Sequence, residues 1–276
     1  GTGIKIQVRD DGVLGPHIDY HGRLLNDLTE SIGNDHADGV AGIFTGAGNL
    51  NPRFRGMATG AELYNTDYVS NFLDVTLDLH LDENVLVTNS SYSDGCNAGY
   101  TNNSKIVDQQ MFENPTYMHV FSAGNSNNND CGYGAGTQWG NVTGGHKQGK
   151  NVIATANLNT EGNLVNTSSR GPAADGRIKP DLVAPGEGIC SARAEEAKNA
   201  IGSVCATGTH SNSRSMYMEL SGTSQATAVA GGSAALAREY LREVAGINKP
   251  SASLIKATLV NGAKDLGTPD IPNNNE

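Results

Sequence analysis

The strongest constraint on this chain is an alternation. Short, nearly continuous apolar runs stand at 4–8 (IKIQV), 61–68 (AELYNTDY), 84–90 (NVLVTNS), 117–123 (YMHVFSA) and 151–156 (NVIATA). Segments of helical spacing fall between them at 35–46, 70–82 and 104–113, and two longer ones follow at 223–243 and 251–263. Apolar runs with little in–out alternation suit strands buried on both faces. Strands that alternate with helices predict an α/β fold with a mostly parallel sheet. Such sheets bind ligands beyond the carboxyl ends of their strands, so the residues just after each run are the candidates for chemistry.

The rest of the composition narrows the classes. With 37% hydrophobic residues over 276, and no Pro/Ser linker, low-complexity block or repeat, one domain over 1–276 is expected. The 35 glycines and 5% aromatics suit tight turns and closely packed backbone. A net charge of −10 without Lys/Arg clusters argues against a nucleic-acid partner. The longest small-apolar stretch, 226–237, is too short and too rich in Gly and Ser to span a membrane. The opening GTGIKIQVRDDG has no basic-then-apolar start, so a secreted protein would be read here in a processed form. Cys96, Cys131, Cys190 and Cys205 contain no C-x-x-C pair, which disfavours zinc. Their even number allows two disulfides in three connectivities, or free thiols.

Four short stretches then deserve weighing. Asp10 and Asp11 end the first strand before Gly12; such a pair makes a turn, holds a metal or orients a histidine. His36 stands just ahead of a helix that continues with the small residues Val40, Ala41 and Gly42. It is either structural or a base tuned near neutral pH. Asn125 follows Ser122, Ala123 and Gly124 at the end of a strand, where its amide can serve a turn or donate to an anion. Ser224 opens a long helix, as N-cap serines do, but the capping-box position 227 carries Thr rather than Glu or Gln. Gly231 and Gly232 inside that helix cost about 1 kcal/mol each against Ala, a cost that close packing would offset.

Read in order, DDG, HADGVAG, SAGN and GTSQA resemble the four motifs of the subtilisin-like serine proteases. SSRGP (168–172), GRIKPDLVAPG (176–186) and SLIKATLVNGAKDL extend the likeness over nearly the whole chain. The DDG form and the stretch before Ser224 look most similar to the kexin-like and oxidation-resistant alkaline branches. The resemblance implies a three-layer α/β fold with a mostly parallel seven-stranded sheet flanked by helices. It implies Asp10, His36 and Ser224 as catalytic triad and Asn125 as oxyanion donor, in the chain order Asp, His, Ser. It implies that Ser91, Tyr92 and Ser93 pair with an extended substrate and form one wall of the S1 pocket, with Ser122, Ala123 and Gly124 as the other. Calcium is implied as a structural ion without assigned ligands; 46–56 and 127–134 are the loops to inspect. A secreted endopeptidase follows, acting on extended peptides and open to a propeptide or inhibitor. The same triad also serves a peptide acyl-transferase or cyclase, and an inactive binding relative would keep the fold alone.

Some residues depart from the family pattern. Ala37, Asp38 and Gly39 replace Gly-Thr-His after the histidine, and Asp38 there would raise the histidine's pKa. Gln225 replaces the usual Met, Ala228 the usual Pro, and the Gly-rich strand after the last helix is missing from TPDIPNNNE. Cys96 is expected to pair with Cys131, since their parent strands should be sheet neighbours, and Cys190 with Cys205 across an insertion before the serine. Asp11, by likeness to kexin-like enzymes, would meet a basic P2 residue. Asp94 and Asp130 would favour Lys or Arg at P1, unless they hold calcium or are solvated, in which case S1 prefers apolar side chains.

Overall fold

The computed structural model describes residues 1–29, 35–68, 72–92, 95–96, 99–132, 138–193, 203–205 and 216–267. In chain order the elements are β1 (Lys5–Asp10), β2 (Leu24–Leu28), α1 (His36–Thr45), β3 (Glu62–Asp67), α2 (Phe72–Glu83), β4 (Val85–Ser90) and α3 (Asn102–Glu113). There follow β5 (Met118–Ser122), β6 (Ile153–Leu158), β7 (Leu182–Pro185), β8 (Ile189–Ala192), β9 (Ser203–Val204), β10 (Tyr217–Leu220), α4 (Thr223–Glu243) and α5 (Ala252–Gly262).

Seven strands form one sheet in the order β2-β3-β1-β4-β5-β6-β7, and every pairing in it is parallel. A second sheet, β8-β10-β9, is antiparallel. The apolar runs of the sequence became β1, β3, β4, β5 and β6, the central strands. Four of these, β1, β4, β5 and β6, are almost wholly buried, which explains why they read as continuous apolar segments. The edge strand β2 (LLNDL) and the four-residue β7 carry no such signal.

Ile6, Val8, Val87, Val120 and Ile153 of the sheet, with Ile4 just before β1, share one core with Val40 and Phe44 of α1 and Ala228, Ala234 and Ala235 of α4. Helix α4 lies against α1 and across β4 to β7; α2 packs on β4 and α3 on β5. The contacts of α4 explain its mid-helix glycines. A Cβ on Gly232 would stand 2.3 Å from Met57 Cβ, and one on Gly231 3.3 Å from the Phe44 ring. In α1 the small residues serve the second sheet: a Cβ on Gly39 would meet Leu220 at 2.3 Å and one on Gly42 would meet Ser191 at 2.4 Å.

Chain direction reverses its spread at β1. From β1 the chain goes to β2 and β3 on one side, then crosses to β4, β5, β6 and β7 on the other. The carboxyl ends of β1 and β4, paired at Arg9 and Ser90, flank this switch point, where ligands of such sheets bind.

Both expected disulfides are formed. Cys96 and Cys131 have Cα atoms 5.4 Å apart, Cys190 and Cys205 6.0 Å. The first joins the segments after β4 and β5, which are sheet neighbours.

Candidate active site

The carboxyl end of β1 delivers Asp10, buried to 1% exposure, to the first turn of α1. There Nδ1 of His36 donates to Asp10 Oδ1 at 2.5 Å. The Asp11 N–H donates to the same oxygen at 3.0 Å and fixes the carboxylate's orientation. Burial pushes His36 down, but the carboxylates of Asp10, Asp11 and Asp35 outweigh it and hold the imidazole up at about 9. Asp35 is fully buried, precedes α1 and pairs with Arg193 at 3.3 Å. Asp38 does not play the part expected of it. It is turned toward the loop before β2, accepting from Tyr20 at 2.6 Å and Gly15 N–H at 3.1 Å. Helical periodicity explains this: two residues on from His36, a side chain leaves the opposite face.

The other half of the site is built on the start of α4. Ser224 is nearly buried; its hydroxyl donates to the Ser91 carbonyl at 3.4 Å, and the Ser91 hydroxyl donates back to the Ser224 carbonyl at 3.1 Å. Ser91 follows β4 directly, so this reciprocal clasp fixes the helix start beside the end of β1. Asn125 follows Gly124 at the end of β5. Its carboxamide oxygen accepts from the Thr223 N–H at 3.0 Å and the Thr223 hydroxyl at 3.1 Å. With the oxygen so held, the NH2 group points the other way, and Asn125 is exposed. Gly222 is required between them. Its φ of 151° suits only glycine, and a Cβ there would stand 3.2 Å from Asn125 Nδ2 and 3.3 Å from Gln225 Oε1. The tripeptide Gly222-Thr223-Ser224 thus gives each residue a separate task.

Beside this site, Tyr92 and Ser122 face each other, the Ser122 hydroxyl donating to the Tyr92 carbonyl at 3.0 Å. Ala123 and Gly124 are buried, and the Gly124 N–H donates to the Thr223 hydroxyl at 3.2 Å. A Cβ on Gly124 would lie 2.4 Å from Thr143 Oγ1, so Thr143 is pressed against this wall. Ser93 and Asp94 lie outside the described residues. Asp130 is exposed and its carboxylate accepts from the Gly132 N–H at 2.8 Å, which is turn chemistry.

Sequence reasoning overlooked Lys147 and His146. Lys147 is fully buried in a 3₁₀ turn (His146–Gln148); its Nζ reaches the Tyr92 carbonyl and the Thr143 hydroxyl, the latter at 2.9 Å. The Tyr92 hydroxyl bonds Nδ1 of His146. Burial, followed by the charges of Arg9 and Lys147, pushes His146 down to about 4. The only signal was a Lys between glycines in a stretch without period, GGHKQGK, which reads as an exposed turn.

Two side-chain oxygens in the described parts of the two loops considered for calcium are engaged locally. Asn51 Oδ1 accepts from Arg53 N–H and Asp130 from Gly132 N–H, so these oxygens serve their own turns. Among the described residues the only cluster of three acidic or histidine groups is Asp10, Asp11 and His36. Its imidazole and its hydrogen-bonded carboxylate do not fit a cation that wants six to eight oxygens. No helix among the described residues is long and apolar enough to cross a membrane.

The Subtilase family model, Peptidase_S8, matches residues 1–275. Part of the chain is 43% identical over 105 residues to the serine protease/ABC transporter B family protein tagA of Dictyostelium discoideum. That match covers 35% of this chain and 6% of tagA, so the chain spans a small fraction of that relative. An uncharacterized protein of Aquifex aeolicus, aq_aa18, is 40% identical over 91 residues, 33% of this chain and 37% of the relative. Among solved structures, the prenylagaramide maturation protease PagA superposes with a TM-score of 0.70 at 21% identity, covering 95% of this chain and 83% of PagA. A cold-adapted subtilisin-like serine proteinase superposes with a TM-score of 0.66 at 19% identity, covering 98% of this chain and 85% of its own. At these identities the likeness is one of fold.

Proposed function

This chain belongs to the subtilase family, and on that premise we propose that it is a serine endopeptidase whose nucleophile is Ser224. The observation that carries this reading is the 2.5 Å bond from His36 Nδ1 to the buried Asp10 carboxylate, set on the strand end next to the Ser91–Ser224 clasp. Asp10 holds the imidazole in one tautomer, leaving Nε2 to take the proton of the Ser224 hydroxyl as that oxygen attacks a peptide carbonyl. The oxyanion that forms accepts from the Asn125 NH2 group and the Ser224 N–H. Collapse of the tetrahedral intermediate breaks the C–N bond, and the leaving amine takes the proton from His36. Water then attacks the acyl-enzyme with His36 as base again, returning free Ser224. The acyl-transferase alternative shares each step but the last, where an amine replaces water.

An extended peptide would run between the Ser91–Tyr92 and Ser122–Gly124 segments, pairing by its main chain. Asp11, a partner of His36 at the cleft, would meet a basic side chain on that side. Two disulfides fit an oxidising compartment, and secretion is part of the proposal.

The test is a fluorophosphonate probe with mass mapping, run beside peptide hydrolysis. The reading expects a single adduct on Ser224 and loss of turnover with it. An unlabelled Ser224 in folded protein, with no cleavage of any library peptide, would mean an inactive relative. Cyclic or amine-coupled products would mean transfer instead of hydrolysis.

A further inference from the structure

We propose that the protein binds a small dianion of the phosphate or sulfate class in a cavity at the amino ends of β1, β4 and β5, with Arg238 as its principal ligand. The site lies at the end of the sheet opposite the candidate active site. The inference is independent of the reading of Ser224 as a nucleophile.

A cavity of about 210 Å³ opens there. It is lined by the segments that lead into the three strands (Gly3, Asn84, Thr116) and by α4 and the loop after it (Arg238, Arg242, Lys249). Pockets for drug-sized molecules start at about 300 Å³, so this one suits a single small group. Arg238 and Arg242 are four residues apart and share one face of α4. Lys249 adds a third cation from the loop before α5. None of the described residues that line the cavity is acidic.

Arg238 is only 2% exposed. Its Nη1 donates to the Pro250 carbonyl at 2.9 Å and its Nη2 to the Thr116 carbonyl. A guanidinium carries five N–H donors, so these two bonds leave three over, and Nε is buried with no partner. Carbonyl oxygens solvate a guanidinium without neutralising it. The acids close by in sequence serve other groups. Glu239 accepts from the Gly1 and Thr2 nitrogens. Glu243 pairs with Arg242 Nε at 2.6 Å. Glu83, beside Asn84, pairs with Lys5 at 3.3 Å and accepts from the Tyr64 hydroxyl at 2.8 Å.

Electrostatics agree with this partner list. Burial pushes Arg238 down to about 10, the charge of Arg242 pushes the same way, and no carboxylate opposes them. The guanidinium is still charged at neutral pH, and a buried cation without a counter-charge is costly. Arg242 places Nη1 and Nη2 on the Gly3 and Thr2 carbonyls, at 3.1 and 2.7 Å, and Lys249 has no ion pair among the described residues. Two guanidiniums and one ammonium against the single carboxylate of Glu243 leave a surplus of two positive charges. A dianion matches that surplus, and the planar guanidinium fork fits its oxygens two at a time. A monoanion would leave one charge behind.

The experiment is calorimetric titration of the whole chain at pH 8 in chloride buffer, with phosphate, sulfate and acetate as ligands. Phosphate and sulfate are expected to bind at one site, and acetate more weakly. Arg238→Gln is expected to weaken phosphate binding by about 10- to 100-fold, the usual worth of hydrogen bonds to a charged group. Lys249→Met, which removes an exposed cation, is expected to weaken it by about 2- to 5-fold. Should Arg238→Gln not fold, the double variant Arg242→Gln, Lys249→Met carries the test, with an expected loss of about 10-fold. Thermal unfolding gives a second readout. Phosphate and sulfate also stabilise proteins by exclusion from their surface, so the difference between wild type and variant is what counts. A saturable rise in Tm in the wild type that the variants lack supports the site. A rise of equal size in both, or no saturable phosphate binding by calorimetry and phosphorus NMR, overturns it. So does acetate binding as tightly as phosphate, or phosphate affinity that the variants leave unchanged.

Discussion

His36 and His146 are one side chain in two environments. Burial pushes both down, as it must when a charged form loses water. At His36 the carboxylates of Asp10, Asp11 and Asp35 reverse that push and hold the ring at about 9. At His146 the cations Arg9 and Lys147 add to it and take the ring to about 4. The end of β1 thus sets one histidine among carboxylates, while beneath Tyr92 the other lies beside two buried cations. Burial supplies the sensitivity in both places, and the sign comes from which charges the fold brings in.

The largest difference between the two regions is expected in turnover. His36→Ala removes the base and is expected to cut kcat by about 10⁴- to 10⁶-fold, as Ser224→Ala does, with the double mutant little worse than either. His146→Ala costs far less, because that ring touches Tyr92 rather than the reacting atoms. Steady-state kinetics on protein of native circular dichroism decides it, and equal losses at the two positions would erase the distinction.

Asn125→Ala comes next. Loss of one oxyanion donor costs about 10²- to 10³-fold in kcat in subtilisin, and the same range is expected here with little change in KM. Thr223→Val, which removes the hydroxyl bond to the carboxamide oxygen and leaves the N–H bond in place, should reproduce a smaller part of that loss. If Thr223→Val has no effect on kcat, the orientation of Asn125 does not depend on the Thr223 hydroxyl.

Stability should distinguish the regions by pH. The folded pKa of His36 lies above its unfolded value, so its stabilising contribution is complete below about pH 6.5 and is lost as pH rises through about 9. The folded pKa of His146 lies below, so its contribution is present above about 6.5 and is lost as pH falls toward about 4. Each window holds about 3 kcal/mol. His119, fully buried and also pushed down, adds to the acid loss. Urea unfolding at pH 4.5, 7 and 9.5 tests this. His146→Gln should reduce the acid slope alone, leaving the part due to His119, and His36→Gln the alkaline slope alone; any other assignment of slopes refutes the contrast.

The smallest effect is the pH profile of the Asp11 variant. Because His36 must be neutral to accept a proton, kcat/KM should rise with pH along a limb centred near 9. Asp11→Asn removes one of the three carboxylates and should lower that limb by about one unit. A wild-type limb at the ordinary histidine value, unmoved in the variant, would show that these carboxylates do not govern the base.

Much of this could be read from the residues in order. The central strands were legible because burial on both faces leaves no polar alternation in β1, β4 and β5. Asp10, His36, Asn125 and Ser224 were legible because each stands where the chain leaves a strand or enters a helix, within a motif of fixed spacing. The edge strand β2, the short β7 and the small sheet β8-β10-β9 were not, since a strand that is exposed or only two to five residues long has no periodicity to announce it. Asp38 was misjudged because nearness along the chain to His36 was taken for nearness in space.

What the sequence by itself determined is the set of elements and the groups at their ends: local pattern, turn glycines and capping positions are properties of neighbours along the chain. Which charges meet was decided only by tertiary structure. Asp10 and Asp11 reach His36, and Lys147 reaches Tyr92 across 55 residues of sequence, because parallel crossovers bring distant parts of the chain to one edge. Coulomb interactions depend on those distances and on the water excluded around them, neither of which is written in residue order.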